Sequence, residues 1–418
     1  MTDTTGAHTI GIYMNDIIHR ANDKALEALK LCVTDKGFSA CSIAHDREKH
    51  TNYACVWSRD SAITTILTLP LHNPVLIDAA KTSLETILDA QADNGTLPNY
   101  IYIDRNEIEY GGVANIGAID GAMWTIIAAM AYYDFTQDDA FITKYADHLE
   151  RTYLWIAAHD TNNCGLLEIP ESSDWADLMC RSFNVLHDEV LWYACTKAYA
   201  RLKEVMNVEH DSFVARADFI KKKIIEVFHP TEDAVANHKP THAHTQYKLV
   251  NTPYLVDQVG PHFHGWRCDV LANILAAMYD VTDPALQERT YLYLRQVEID
   301  RPHPVRVLYP TIEPGDPMWR DYQLVKIHNA PHHYHNGGIW PVAGGLWVRF
   351  LLKLGKENHA KEALERLADF CFKGVYDEWE FNEWGHGQTG NPMGKSYQAW
   401  SAASYISAYD EYMKHTQK

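Results

Sequence analysis

The sequence predicts an all-α protein that folds as a single (α/α)6 toroid over residues 1–418, with six inner helices ringed by six outer ones. Apolar residues recur at helical spacing in about twelve segments, and almost no segment shows the alternation of a strand. The links between the segments are alternately short and long, which makes six helix pairs with a repeat of about 65 residues. Two concentric rings let every pair bury its apolar stripe against its neighbours.

The predicted helices have boundaries that follow from turn and N-cap residues. Their approximate spans are 15–33, 59–71, 74–91, 119–135, 139–158, 183–206, 210–228, 266–281, 284–299, 336–354, 357–373 and 396–414. The short links, for example 71–74 and 136–139, hold only turn or capping residues. The long links occupy roughly 34–58, 92–118, 159–182, 229–265, 300–335 and 374–395, so all six are expected at one rim, over the N-termini of the inner helices.

Apolar content separates the two rings. Segments 119–135 and 336–354 are nearly uncharged and are predicted to be inner helices, whereas 357–373 has a charged face and is predicted to be outer. Because long loops in a compact domain usually serve a function, we expect the chemistry at the rim where they meet.

Composition excludes several classes of function. The chain has 37 basic and 55 acidic residues, a net charge of −18, which disfavours nucleic acid and anionic membranes as partners. It has no apolar run of about 18 residues, and residues 1–19 lack a basic segment followed by an apolar one. We therefore expect a cytoplasmic protein without a membrane partner. A homo-oligomer remains compatible with the sequence.

The eight cysteines and 23 histidines do not indicate a metal centre. The cysteines are scattered, with no CxxC and no zinc spacing, as expected for thiols in a reducing compartment. His328, His332, His333 and His335 cluster in one long link, but without helical i, i+4 spacing. We expect a structural or substrate-contacting role for these histidines, and neither a metal nor a cofactor.

The long links and the helix starts that follow them are rich in aromatic, acidic and amide side chains. Aromatic faces stack on sugar rings, and carboxylates and amides bind sugar hydroxyls, so the pattern predicts a pocket for a small saccharide. The candidate substrate-binding residues at the rim are Trp57, Arg59, Asp60, Asn115, Asp174, Trp175, Asp177, His335, Asn336, Trp340 and Trp384.

Glycoside hydrolysis needs one protonated and one ionised carboxyl group beside the scissile bond. The rim supplies seven candidates, namely Asp60, Asp120, Asp174, Asp177, Asp269, Glu380 and Glu383. Asp120 opens an apolar helix, where burial would raise its pKa, and is the predicted general acid. Glu383, in the last long link, is the predicted general base. Helix capping is the alternative explanation for Asp60, Asp120 and Asp269.

Four segments resemble the (α/α)6 glycoside hydrolases, most closely the neutral/alkaline invertases of glycoside hydrolase family 100. VWSRDSAI at 56–63 is similar to F-[IV]-R-D-F-V, and GAIDGAMWTIIAAMAYY at 117–133 is similar to PVDSxLWWIILLRAY. HNGGIWPV at 335–342 is similar to WHNAGSWPV, and FNEWG with SYQAWSAASY resembles the family's WPEYYD and YQTWTIAGY region, which adds Gln398 to the binding residues. The resemblance implies substrate contacts for Arg59 and Asp60, the acid role for Asp120 and the base role for Glu383.

The predicted function is that of an inverting, exo-acting hydrolase of an α-glucoside such as sucrose or a short α-glucan. SSDWAD at 172–177 is more similar to debranching-type enzymes than to invertases, so an α-1,6-glucosidase is an alternative. The sugar 2-epimerases share the toroid and use histidines as acid and base, so an isomerase using His264, His333 and His335 is a second alternative. A catalytically silent carbohydrate-binding protein is the third. If the hydrolase inverts, its two carboxyls should lie roughly 6.5–9.5 Å apart.

Overall fold

The computed structural model describes residues 5–46, 53–105, 107–112, 115–229, 252–261 and 263–416. In this part of the chain there are twelve α-helices: α1 Thr5–Lys30, α2 Ser58–Thr68, α3 Pro74–Asp89, α4 Asp120–Thr136, α5 Asp139–Ala157, α6 Leu186–Val205, α7 Asp211–Phe228, α8 Val270–Met278, α9 Pro284–Gln296, α10 Pro341–Lys353, α11 Glu357–Phe372 and α12 Ala399–Thr416. Much of the predicted long link 229–265 lies outside the described residues. The all-α fold class is confirmed.

Six of these helices form a closed inner ring. Helices α2, α4, α6, α8, α10 and α12 each pack on the next in this order, and α12 packs back on α2. Helices α1, α3, α5, α7 and α11 pack on the outside of that ring, and α9 contacts it where Tyr291 stacks on Trp347 of α10. The predicted toroid of helix pairs is therefore confirmed.

The division into apolar inner and amphipathic outer helices also follows the prediction. Residues 120–130 of α4 are all buried, as are residues 341–348 of α10. In α11, by contrast, buried residues such as Leu364 and Leu367 alternate at helical spacing with partly or fully exposed charged ones. An inner helix touches neighbours on every side, which is why it carries no polar stripe.

Short links end one helix and start the next through local hydrogen bonds. The Asn73 side chain accepts hydrogen bonds from the amides of Val75 and Leu76, ahead of α3. Asp138 caps α5 and Asp283 caps α9 in the same way, each through the amide of N3. These side chains satisfy amides that have no partner inside the helix, so the turns are specified locally.

Where the structure describes them, the six long loops contain short strands of two or three residues: β1 Val33–Thr34, β2 Gly37–Phe38, β3 Cys55–Trp57, β4 Tyr100–Tyr102, β5 Ile108–Glu109, β6 Asn184–Val185, β7 Gln258–Val259, β8 Cys268–Asp269, β9 Leu308–Tyr309, β10 Trp384–Gly385 and β11 Pro392–Met393. Segments of this length are too short to show alternation in a sequence. The absence of strand signals from the sequence is explained by that brevity.

Backbone hydrogen bonds join the loops to one another around the rim. The first two loops meet through β3 and β4, the third and fourth through β6 and β7, and the fourth and fifth through β8 and β9. The amide of Ile119 donates to the carbonyl of Ser173, which joins the second loop to the third. Bridges Ile339–Gly385 and Cys41–Gln398 join the fifth loop to the sixth and the sixth to the first. The loops thus form a closed ring above the inner helices.

On the outer side of the toroid, Asp300 joins three helices. Its Oδ2 accepts hydrogen bonds from Trp347 Nε1 at 3.0 Å, from His359 Nε2 at 2.9 Å and from Arg366 at 2.9 Å. Although burial opposes the shift, His359 and Arg366 lower the pKa of Asp300 to about 2. This ionic cluster links the end of α9 to α10 and α11. No helix in the described ranges is long and apolar enough to cross a membrane.

Candidate active site

The candidate site lies where the inner helices begin. Arg59 and Asp60 are in the first turn of α2, Asp120 is the first residue of α4, and Glu383 directly precedes β10. Arg59, Asp60 and Asp120 influence one another electrostatically, and Asp60 also acts on Glu383. The toroid therefore brings together residues from both ends of the chain.

Arg59 and Asp120 form the most deeply buried ion pair of this cluster. Arg59 Nε lies 2.5 Å from Asp120 Oδ2, and its Nη2 lies 2.8 Å from Oδ1. Asp120 is 0% exposed and Arg59 is 5% exposed. The guanidinium thus contacts both carboxylate oxygens of Asp120, and Asp120 is the more deeply buried partner of the pair.

Asp60 sits beside this pair and is buried. Burial raises its pKa to about 7, with Arg59 opposing the shift and Asp120 and Asp177 adding to it. Gln398 of the sixth loop donates a hydrogen bond from its side-chain nitrogen to Asp60 Oδ1 at 3.4 Å. The predicted binding residues Asp60 and Gln398 are therefore neighbours, although 338 residues separate them in the chain.

Glu383 is held by the first and sixth loops together. The Tyr53 hydroxyl donates to Glu383 at 2.9 Å from Oε1 and 3.1 Å from Oε2, and the amide of Lys395 donates to Oε2 at 3.3 Å. Burial raises the pKa of Glu383 to about 7, whereas the bonds from Tyr53 and Lys395 oppose the rise. Gly394 has φ +71°, and a Cβ there would lie 2.6 Å from Glu383 Oε2, so only glycine fits against this carboxylate.

Asp177 approaches the same cluster from the third loop. Its side chain is only partly buried, and no hydrogen bond to its carboxylate occurs among the described residues. Burial raises its pKa to about 7, Asp120 and Asp174 add to the rise, and Arg59 opposes it. Asp177 in turn raises the pKa of Glu383. Asp177 is thus a partly exposed carboxyl group that titrates near neutral pH.

Two tyrosines belong to the site and were missed by the sequence analysis. Tyr53 holds Glu383, as described above. Tyr334 is buried, and Glu383, Asp177 and Asp60 raise the pKa of its hydroxyl while Arg59 lowers it; burial is the largest cause of the rise. Tyrosine in a loop carries no periodic signal, so only the neighbourhood created by folding identifies these two residues.

Asp174 and Asp269 serve the scaffold. Arg181 forms ion pairs with Asp174 and with Asp269, and all three side chains are almost fully buried. Asp269 Oδ1 also accepts a hydrogen bond from the amide of Ala272 and caps α8. The expectation that Asp174 binds substrate is therefore wrong for the structure described, because its carboxylate oxygens are taken by Arg181 and by the amide of Ala176.

Three of the predicted aromatic and imidazole contacts form one buried stack. Trp175 is 4% exposed and lies against His335 and Trp340, whose rings are parallel at 4.7 Å. Trp340 is 1% exposed and donates from Nε1 to the carbonyl of Tyr334. The three rings pack mainly on one another, although Trp175 also lines the cavity beside Arg59, so their contact with a sugar stays a prediction. Trp57 and Trp384 lie nearer the carboxyls: Trp57 is half-buried against Tyr100, and Trp384 follows Glu383.

The two asparagines of the predicted site have different surroundings, and their contact with a substrate stays a prediction. Asn336 is fully buried, its Oδ1 accepts from the amide of Ile312, and its Nδ2 donates to the carbonyls of Ile312 and Asn329. Asn115 is exposed in a turn at φ 61°, a backbone conformation that asparagine tolerates. The candidate carboxylate Glu380 likewise serves the backbone, since it accepts hydrogen bonds from the amides of Val375 and Asp377.

Two groups of side chains have ligand atoms close enough to approach a common cation. Asp174, His187 and Asp188 are buried below the cluster, and Asp160, Cys164 and Glu168 lie in the third loop. In the first group Arg181 already supplies a positive charge to Asp174. In the second group Asp160 accepts hydrogen bonds from the amides of Cys164 and Gly165. The local chemistry of both groups favours a structural role.

An apolar cavity lies on the inner side of Arg59. Its walls come from the inner helices and the third loop: Ile63, Trp124, Trp175, Leu271, Leu275, Val342, Leu346 and Trp400, with His187 as the second polar residue beside Arg59. Such walls exclude bulk water, which makes ionised groups costly. Arg59, which pairs with Asp120, therefore borders an apolar space.

Comparison with known proteins shows a partial likeness in sequence. The model of the alkaline and neutral invertases, glycoside hydrolase family 100, matches residues 233–414, less than half of the chain. The matched part contains Glu383 and Gln398 but neither Asp120 nor Asp177. Alkaline/neutral invertase CINV1 of Arabidopsis thaliana is 29% identical over 164 residues, which are 37% of this chain and 28% of that relative. The chain thus matches less than a third of the length of its curated relatives.

The likeness in fold extends over nearly the whole chain. The GH63 mannosylglycerate hydrolase from Thermus thermophilus, solved in complex with glucose, superposes with a TM-score of 0.66 at 12% identity, over 92% of this chain and 99% of that one. A bacterial glucoamylase complexed with acarbose gives a TM-score of 0.62 at 14% identity, over 96% of this chain and 57% of that one. The chain has the fold of these proteins, and its sequence resembles the alkaline/neutral invertases.

Proposed function

We propose that this chain is an inverting, exo-acting glycoside hydrolase that cleaves an α-glucoside such as sucrose or a short α-glucan. The observation that carries the proposal is the meeting of Asp177 and Glu383, two carboxyls whose pKa values are raised to about 7, beside Arg59. Hydrolysis of a glycoside needs one protonated and one ionised carboxyl. Carboxyls that titrate near neutrality can hold either state at the working pH. The partial resemblance to invertases supports the same chemistry.

Glu383 is the general base. Its carboxylate, oriented by Tyr53 and by the Lys395 amide, removes a proton from a water molecule. The water oxygen then forms a bond to the anomeric carbon. The two hydrogen bonds leave the carboxylate with lone pairs that can accept this proton.

The general acid is Asp177, in place of Asp120. Asp177 gives its proton to the glycosidic oxygen as the bond from that oxygen to the anomeric carbon breaks. Asp120 was the acid expected from its place at the start of an apolar helix, but Arg59 occupies both of its oxygens and no part of it is exposed. Asp177 is partly exposed and its carboxylate is free of hydrogen bonds to described residues, which supports the reassignment.

Arg59, Asp60 and Asp120 form the binding floor below the scissile bond. Asp120 fixes the guanidinium, and Asp60 supplies a carboxylate that can accept hydrogen bonds from sugar hydroxyls, steadied by Gln398. Trp57, which is partly exposed and packs on Tyr100, offers apolar surface to a sugar ring. The closed ring of loops above this floor supports binding of a chain end and therefore exo action.

The histidine-based isomerase receives no support from the site. His335 is 3% exposed and packs against both Trp175 and Trp340, so its imidazole is closed off from solvent. An isomerase would need such a ring to reach a substrate carbon. Hydrolysis by the carboxyls is the function that the geometry favours.

The test is a panel of sucrose, trehalose, maltose, isomaltose and longer α-glucans followed by proton NMR. The preferred substrate separates an invertase-like enzyme from an α-1,6-glucosidase, since the latter requires isomaltose-type linkages. The first anomer released reports inversion or retention. No turnover on any α-glucoside would refute the proposal and leave the binding-protein alternative.

We infer a cytoplasmic location for the enzyme. All eight cysteines are unpaired thiols, and burial raises the pKa of most of them, as with Cys32, Cys195 and Cys371. Buried thiols that form no disulfide are typical of proteins in reducing compartments. Thiol labelling of the protein in a cell extract prepared without reductant would test this location.

A further inference from the structure

Three histidines lie together on the outer side of the carboxyl cluster, and the proposed reaction does not use them. His332 and His333 belong to the fifth loop and His386 to the sixth. The ring centroids of His333 and His386 are 4.5 Å apart, and those of His332 and His386 are 6.1 Å apart. All three side chains are partly exposed, unlike the fully buried His335.

Trp384 connects this histidine cluster to the site. The His333 ring lies 6.0 Å from the Trp384 ring, and Trp384 follows the proposed base Glu383 in the chain. Tyr334, which follows His333, lies within electrostatic reach of both Glu383 and Asp177. Exposure increases from Asp120 through Tyr334 to His333, so the histidines lie nearer to solvent, toward which the leaving group projects in the proposed exo-acting enzyme.

Backbone contacts fix the cluster before any ligand binds. The amide of Gly387 donates to the carbonyl of His332 at 2.8 Å, and Ile339 and Gly385 exchange two hydrogen bonds of 2.8 Å. A Cβ at Gly387 would lie 1.9 Å from the carbonyl oxygen of Gly337, so only glycine allows the two loops this close. Rigid placement of this kind reduces the entropy lost on binding.

The hydrogen bonds of His333 and His386 determine whether the Nε2 atom of each ring is a donor or an acceptor. His386 Nδ1 accepts from the amides of Gln388 and Thr389, both at 3.2 Å, so in the neutral ring the proton is on Nε2, which is a donor. His333 Nδ1 lies 3.1 Å from the carbonyl of Pro331 and must donate to it, which leaves Nε2 as an acceptor. Neither Nε2 has a hydrogen-bond partner among the described residues.

We propose that His333 and His386, with Trp384 as their apolar wall, form the subsite for the leaving group and select a hydroxyl-rich one, a saccharide or polyol. A hydroxyl both donates and accepts, so it matches one donor Nε2 and one acceptor Nε2, whereas an aryl or alkyl leaving group matches neither. Burial lowers the pKa of His386 and the nearby rings add to the shift, which keeps this ring neutral at the working pH. This inference rests on the proposed hydrolase function and concerns only its leaving-group side.

The test compares leaving groups on a constant glucosyl unit. kcat/KM is measured for sucrose and maltose and for 4-nitrophenyl α-glucoside, with the wild type and with His333→Phe and His386→Asn. Phenylalanine keeps the ring but removes the acceptor, and asparagine keeps a side-chain oxygen for the amides of Gln388 and Thr389. We expect kcat/KM to fall about five- to tenfold for the sugars, the range of one uncharged hydrogen bond, and to stay within about twofold for the aryl glucoside.

His333→Gln and His303→Phe complete the experiment. Glutamine restores an acceptor, so His333→Gln should recover much of the activity on sugars. His303 lies against Gly390 on the same loop as His386 but outside the histidine cluster, so His303→Phe should change neither substrate.

The possible results distinguish a failure of the subsite assignment from a failure of the hydrolase proposal. An equal loss on sugars and on the aryl glucoside, or no loss on either, overturns the subsite assignment while the hydrolase proposal stands. A wild type that hydrolyses none of the three glucosides refutes the hydrolase proposal itself and this inference with it. If a variant does not fold, as judged by thermal unfolding, the remaining histidine variants decide the result.

Discussion

The guanidinium of Arg59 binds both carboxylate oxygens of Asp120, at 2.5 Å and 2.8 Å, inside the ring of inner helices. The pair joins α2 to α4. A buried pair of this kind is costly to break, because the remaining charge has no other partner of equal strength. In the proposed mechanism, the position that sequence motifs mark most strongly therefore supports the reacting groups and is not one of them.

The assignment of Asp177 as the general acid predicts that the effect of Asp177→Asn depends on the leaving group and that the effect of Asp120→Asn does not. Asp177→Asn should lower kcat on maltose or sucrose by at least about 10²-fold, because no proton reaches the leaving oxygen. It should lower kcat on 4-nitrophenyl α-glucoside far less, since nitrophenolate departs without protonation. Asp120→Asn should reduce both rates to a similar extent and lower the melting temperature. The reverse pattern in these steady-state rates would restore Asp120 as the acid.

The base assignment predicts the stereochemistry. The wild type should release a first product with the anomeric configuration opposite to that of the substrate, as seen by proton NMR within the first turnovers. Glu383→Gln should abolish this hydrolysis while its circular dichroism spectrum stays unchanged, because the amide cannot take a proton from water. Retention of configuration, or a trapped covalent glycosyl-enzyme, would contradict the mechanism.

The hydrogen bond from Tyr53 predicts a shift in the pH profile. The hydroxyl stabilises the ionised form of Glu383 and so opposes the rise of its pKa to about 7. Tyr53→Phe removes this stabilisation, so the pKa of Glu383 should rise and the acidic limb of the kcat/KM profile should move to higher pH. Tyr322→Phe is the matched control, since Tyr322 donates to the rim residue Glu171 and has no contact with Glu383. An unshifted acidic limb in Tyr53→Phe would exclude this role.

The ionic cluster of Asp300 predicts a pH-dependent loss of stability. Asp300→Asn should lower the free energy of unfolding at pH 7 by about 3 kcal/mol, the scale for breaking a buried pair. The folded-state pKa of about 2 lies below the usual value for aspartate, so the contribution is complete above the unfolded-state pKa near 4 and is lost as the pH falls toward 2. Urea unfolding of wild type and variant should therefore differ more at pH 7 than at pH 3. An equal difference at both values would show that the loss is not ionic.

Most of the helix arrangement could be predicted from the sequence. The predicted spans 74–91, 119–135, 139–158 and 357–373 agree within about two residues at each end with α3, α4, α5 and α11. The ring closure and the position of the long loops over the inner N-termini also agree. Helical periodicity and the caps Asn73, Asp138 and Asp283 act within a few residues of one another, so they are visible in a linear string.

The candidate site was predicted in outline, and its individual roles were predicted less well. Asp60 is influenced by Arg59 and Asp177 and is bonded to Gln398, and Glu383 is influenced by Asp60 and Asp177, while their contact with a substrate stays a prediction. Asn336 and Trp340, by contrast, belong to motifs that resemble invertases yet are buried and bonded within the fifth loop. A motif identifies the place of a residue in the fold, but not whether its polar atoms are already taken.

The sequence alone therefore determined the fold class and the pairing of the helices, and it predicted the rim as the place of a saccharide site. Only the tertiary structure decided which carboxyl is paired with a cation, as Asp120 is with Arg59. Arg59 and Asp120 are 61 residues apart in the chain, and Tyr53 and Glu383 are 330 residues apart. The pKa and the accessibility of a carboxyl depend on the groups within a few ångströms of it, and folding brings those groups from distant parts of the chain.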